Sequence, residues 1–156
     1  MLIDRSCFLP CSPQRCFAEV ETPQLLRYVS SPLVHFVAID PPVLPERWAD
    51  AKYRVGLRIL GWIPFGSQVI QISRGELFDD QRGFHASLRD NGHSALVSRW
   101  DHWITIDSAP GGCRYSDKVE IEAGIVTPLV WAFAWLFYRH RQRRWQRLVR
   151  HGFEYF

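Results

Sequence analysis

Residues 99–122 read RWDHWITIDSAPGGCRYSDKVEIE. They alternate with a period of two on both sides of Pro110-Gly111. Trp100, His102, Ile104 and Ile106 share one face of the first half, opposite Arg99, Asp101, Trp103 and Thr105. In the second half Tyr115, Asp117, Val119 and Ile121 oppose Arg114, Ser116, Lys118, Glu120 and Glu122. Successive side chains of a strand point to opposite faces, so this is a hairpin with one covered face and one wet face. Keeping the covered faces together puts Ile106 opposite Tyr115, Ile104 opposite Asp117 and His102 opposite Val119. An acid, an imidazole and a phenol then meet on the covered side.

Upstream, the same alternation marks further strands. It runs over Lys52–Leu60, with Tyr53, Val55, Leu57 and Ile59 inward, over Gln68–Arg74, and over Phe84–Arg89. Turn chemistry separates them at Gly61…Pro64-Phe65-Gly66, Asp79-Asp80…Gly83 and Asp90-Asn91-Gly92. Leu33–Ile39 reads as a strand ended by Asp40-Pro41-Pro42, and Arg15–Glu21 as a weaker one. Thr22 with Pro23 predicts the start of a short helix reaching about Tyr28. Residues 1–14 carry no clear pattern and read as an irregular N-terminal segment.

Downstream comes AGIVTPLVWAFAWLFY, residues 123–138, without a charge, followed at once by an arginine run. Thr127 reads as an N-cap, Pro128 as a first-turn residue and Gly152 as the stop, giving a helix over 128–151. At about 1.5 Å per residue it reaches roughly 36 Å. Trp131, Trp135, Tyr138 and Trp145 recur at helical spacing and predict the stripe that meets the sheet. Spanning a bilayer takes about 20 apolar residues, so this segment reads as a soluble helix. A sheet with one apolar face can cover it by curling around a single long helix, which leaves a cavity between them.

The order of elements resembles the helix-grip fold of the START, polyketide-cyclase and pollen-allergen (SRPBCC) superfamily. The local likeness lies in Arg99–Ile106 and Gly111–Glu120, which resemble that superfamily's late hairpin. The resemblance spans roughly residues 15–151 and implies a single α+β domain over 1–156, a curved antiparallel sheet of about six or seven strands around the C-terminal helix. Members bind lipids, sterols and polyketides, or cyclise and dehydrate them in the same cavity. The resemblance therefore implies a binder of a small hydrophobic or aromatic molecule, or a cyclase- or dehydratase-like enzyme, and does not choose between them.

The candidate wall residues are Tyr53, Val55, Leu57, Trp100, His102, Ile104, Tyr115, Asp117, Trp131 and Trp135. His102, Asp117 and Tyr115 are candidates for general acid/base work if burial shifts their pKa values. The same trio can equally be a satisfied polar cluster that orders the core. No nucleophile elbow, phosphate loop or paired metal-binding histidines accompany it. His35, His85 and His93 stand on separate segments and carry no assignment.

The chain has 156 residues and a net charge of +3, yet its last 18 residues hold six arginines and one acid. The basicity is thus one local run, which argues against a nucleic-acid surface spread over the fold. Arg139, Arg141, Arg143, Arg144 and Arg147 form either a solvated helix face or a contact for an anionic partner, a membrane surface or RNA. Cys7, Cys11, Cys16 and Cys113 match no usual zinc spacing and read as reduced, partly buried thiols. No secretory signal is visible, so a cytoplasmic protein with no cofactor and no metal is expected. Oligomeric state has no signature in the sequence.

Overall fold

A computed structural model describes residues 1–155. The elements follow in the order β1 (Leu2–Leu9), α1 (Pro13–Val20), α2 (Pro23–Ser30), β2 (Val34–Asp40), β3 (Lys52–Ile59), β4 (Ile63–Asp80), β5 (Gly83–Ser94), β6 (Arg99–Ala109), β7 (Gly112–Glu122) and α3 (Thr127–Arg150). The seven strands form one antiparallel sheet in the order β1-β7-β6-β5-β4-β3-β2. Register shifts in the β2–β3, β3–β4 and β4–β5 pairings interrupt the ladders, and such shifts bend and twist a strand. The result is the helix-grip arrangement, a curved sheet around a long C-terminal helix.

The β6–β7 register is the one the alternation predicts, with Ile106 opposite Tyr115, Ile104 opposite Asp117 and His102 opposite Val119. Thr22 caps α2 through the Leu25 N–H, with Pro23 opening the helix. Upstream of β6 four expectations change. Residues 2–9 are not irregular: they pair along the whole of β7 from Leu2–Glu120 to Leu9–Cys113. Arg5 and Cys7 fall on the same face as Ile3 and Leu9, which blurs the apolar alternation. The segment expected as a strand over Arg15–Glu21 is helix as far as Val20, capped by Ser12 and opened by Pro13, the same device as in α2. Asp90-Asn91-Gly92 is not a turn, because β5 runs through it with partners on both sides. Gly92 is required there by space, since a Cβ would lie 2.5 Å from the Val69 carbonyl oxygen. Finally, Pro64–Gly66 belongs to β4, and the chain reverses at Leu60 and Gly61, both at positive φ.

Thr127 opens α3 from inside rather than capping it; its hydroxyl accepts from the Ala123 N–H and donates to the Gly124 carbonyl. The helix backbone approaches β1, β7 and α2 but no strand from β2 to β6. It therefore lies toward one edge of the sheet. Strands β3–β5 curve away from it, and the space between is where the cavity forms. No helix among the described residues is long and apolar enough to cross a membrane.

Candidate functional site

The cavity has a volume of about 1070 Å³. Its interior wall comes from α1 and α2 (Val20, Leu25, Leu26), from Trp48, and from the inward faces of β3–β6, including Leu57, Ile70, Ile72, Leu88, Trp100, His102 and Ile104. The helix contributes Leu129, Val130, Phe133, Phe137, Tyr138 and Arg141. A volume of this size suits a drug-sized or acyl ligand. The mouth lies among Phe65, Leu96 and Leu129, which are 54%, 49% and 74% exposed.

A small polar group breaks the apolar wall. Asp90, His102 and Arg141 all border the cavity. Beneath His102 lies Asp117, fully buried. His102 Nε2 donates to Asp117 Oδ1 over 2.9 Å, and the Tyr115 hydroxyl donates to the same oxygen over 2.8 Å. Gln142 Nε2 donates to Oδ2 over 3.0 Å. Arg141 donates to the Tyr115 oxygen over 3.3 Å and stands 3.9 Å from Asp117. Its Nε has no partner although it is buried.

The electrostatics follow from this arrangement. Burial opposes the charge on Asp117, but the hydrogen bond from His102 and the positive Arg141 outweigh it and hold the carboxyl below its ordinary value. Burial also depresses His102, against the pull of Asp117, so its imidazole is neutral at neutral pH. Burial pushes Tyr115 well up, which keeps it a phenol. Burial works against the charge of Arg141, yet Tyr115 and Asp117 raise its pKa further, so it stays a cation. Asp90 differs. Burial pushes its carboxyl up to about 7, against a hydrogen bond from the Gln71 N–H and the charge of Arg141. A carboxyl that changes state near neutral pH inside a cavity is poised for proton exchange or for sensing a ligand's charge.

The sequence candidates are distributed as follows. Leu57, Trp100, His102 and Ile104 border the cavity. Tyr115 and Asp117 sit behind His102 and support it. Tyr53 and Val55 are buried in the core beside the cavity, Tyr53 packed edge-on against Trp48. Trp131 and Trp135 do not border it: Trp131 donates its indole N–H to the Leu2 carbonyl over 2.9 Å, and Arg5 and Arg139 cover the Trp135 ring. Both serve the β1 edge, because α3 is apolar all round in its first half and periodicity there carries no direction. Leu129, Phe133 and Phe137 take the cavity side instead.

The arginine run also divides. Arg141 points inward, and Arg144 is half-buried, its Nε donating to the Tyr28 carbonyl over 2.9 Å with the guanidinium over the Tyr28 ring. Arg139, Arg143 and Arg147 remain exposed. Asp90 was missed as a site residue because Asp-Asn-Gly is strong turn chemistry; the residues of β5 that flank it, Leu88 and Gly92, give no cue that the strand continues.

The rim is unusual in charge. No Asp, Glu, Lys or Arg occurs in 59–73, 91–98 or 123–138. These are the β3–β4 hairpin, the β5–β6 connection and the first half of α3, and each supplies cavity residues. Trp62 and Ile125 are 74% and 98% exposed.

No family profile matches the sequence, and no curated protein matches it as a relative. Solved structures do share the fold. A Chromobacterium violaceum protein superposes with a TM-score of 0.66 at 13% identity, covering 95% of this chain and 96% of that one. A START superfamily protein from Mycobacterium smegmatis gives 0.60 at 13% identity, covering 96% and 97%. The AHSA1 protein from Silicibacter pomeroyi gives 0.57 at 9% identity, covering 97% and 99%. At such identities the likeness is one of fold.

Proposed function

Starting from a START-like helix-grip fold, we propose that this protein binds a small hydrophobic molecule, lipid-, sterol- or polyketide-like, in the cavity between the sheet and α3. The observation that carries the reading is the cavity itself: about 1070 Å³ lined mostly by aliphatic and aromatic side chains, with Asp90, His102 and Arg141 as its inner polar group and Ser67, Gln68, His93 and Ser94 on the hairpin and connection that form the rim. An apolar cavity of this size forfeits packing that a solid core would have, and an apolar ligand buried in it recovers those contacts. The polar group supports a ligand with a polar or acidic head, because the unpaired Arg141 Nε is a donor awaiting an acceptor. Native mass spectrometry of the purified protein tests this. A co-purifying small molecule supports the reading, and a protein that is empty and stays so when offered such molecules contradicts it.

A second reading, acid/base chemistry of the cyclase or dehydratase type, draws support from Asp90 beside neutral His102. In it Asp117 orients His102 and does not touch substrate. Turnover that disappears in both Asp90→Asn and His102→Gln would favour the enzyme; binding that merely weakens would favour the carrier.

The uncharged rim supports contact with a lipid bilayer as the route by which a poorly soluble ligand enters. Exposed Trp and Phe around a charge-free opening suit the membrane interface. In this reading the contact is the cavity mouth rather than the arginine run.

A further inference from the structure

We propose that Cys11, Cys16 and Cys113 form a three-thiolate site for a soft d10 cation, with Cu(I) the best match and Zn(II) the other candidate. The sequence separates Cys113 from the other two by about 100 residues, but β1 and β7 pair with Leu9 opposite Cys113. The chain then turns directly from β1 into α1, which brings Cys11 and Cys16 over that end of β7. The three Sγ atoms lie within 4.8 Å of one another. Three sulfurs bound to one ion at about 2.3 Å stand roughly 4 Å apart, so the cluster needs to close by less than an ångström.

The donor set specifies the cation. No histidine or carboxylate joins the group among the described residues. Thiolates alone select soft ions, and three of them match a trigonal ion better than one that demands four or six ligands. The surroundings agree. Cys16 and Cys113 are fully buried within the core cluster, beside Leu9, while Cys11 and Cys7 are partly buried and Cys11 opens the way in. Binding requires the three thiols to release their protons to solvent.

Cys7 provides an internal control, since it lies on the neighbouring strand but outside the group. The test is anaerobic titration of the reduced full chain with Cu(I), supplied as its coloured bathocuproine disulfonate complex, and in parallel with Zn(II) against a colorimetric chelator. The expected result is uptake of one equivalent, a rise in Tm, and an affinity at least 100-fold weaker in Cys11→Ser with little change in Cys7→Ser. Cys11 is the most exposed of the three, so Cys11→Ser is the variant that best keeps the fold; circular dichroism checks it. Stoichiometric uptake of either ion that depends on Cys11 supports the site, and competition between Cu(I) and Zn(II) identifies the preferred ion. No uptake of either ion at one equivalent, or uptake unchanged in Cys11→Ser, overturns it.

Discussion

Asp90 lies directly across the β5–β6 ladder from His102, and both side chains border the same cavity. One is a carboxyl raised to about 7 by burial, the other an imidazole held neutral by burial. An imidazole that is neutral at neutral pH thus sits beside a carboxyl that changes state there. That arrangement costs stability, because a buried carboxyl would rather ionise in water, and such costs gather at functional sites.

The cost gives the first prediction. A carboxyl whose folded pKa exceeds its unfolded value binds its proton more tightly when folded, so its contribution to stability falls as pH rises from about 4 to about 7. Asp90→Asn removes that loss while keeping an oxygen for the Gln71 N–H. The variant should match the wild type near pH 4.5 and exceed it by roughly 2 kcal/mol at pH 8, after allowing for partial exposure. Urea unfolding at the two pH values measures the difference; equal effects at both would contradict it.

Asp117 should behave in the opposite sense. Its folded pKa is depressed, so its stabilisation is present above the ordinary carboxylate range and is lost as pH falls through the lowered value. Asp117→Ala leaves His102, Tyr115 and Gln142 without their common acceptor and Arg141 without its counter-charge. The expected loss is about 3–5 kcal/mol, read from the denaturation midpoint at pH 7.

Arg141 should select the ligand's head. A fatty-acid probe and its alcohol counterpart differ only in the charge available to the guanidinium. Arg141→Lys should weaken the carboxylate about tenfold or more and leave the alcohol nearly unchanged, since hydrogen bonds to a charged group contribute about 1.5–3 kcal/mol. Arg143→Gln, on an exposed position of the same helix, should change neither.

The rim predicts a membrane phenotype. Trp62→Glu and Leu129→Glu place charge on exposed side chains without disturbing packing. Both should reduce flotation with phosphatidylcholine vesicles several-fold, since each opposes transfer of that surface into the interface. An unchanged flotation in both, or a loss that follows only Arg143→Gln and Arg147→Gln, would place the contact on the arginine run.

Most of the fold was legible because the later strands alternate cleanly and all their turns except the one between β5 and β6 carry Gly or Pro where the chain reverses. The late hairpin's register, with Ile104 opposite Asp117, followed from that alternation alone. The N-terminal region was not legible. Arg5 and Cys7 share the inward side of β1 with Ile3 and Leu9, so pairing with β7 rather than apolar pattern makes it a strand. The start of α1 was readable in principle, since Ser12-Pro13 repeats the Thr22-Pro23 device. At the site, His102 was found by its face, but Asp90 was hidden by turn chemistry that tertiary pairing overrode. Trp131 and Trp135 were assigned to the cavity because residues 123–138 are apolar all round. Only the position of α3 against β1 shows which side of that segment is empty.

The most direct test of the account is equilibrium titration with 11-(dansylamino)undecanoic acid, comparing the wild type with Ile70→Trp. Ile70 is buried on the cavity wall, and a tryptophan there fills space now empty while keeping an apolar surface. One saturable site in the wild type, lost or weakened at least tenfold in a folded Ile70→Trp, is the predicted result. No saturable binding, or equal binding by the filled variant, would contradict the claim that this cavity holds the ligand.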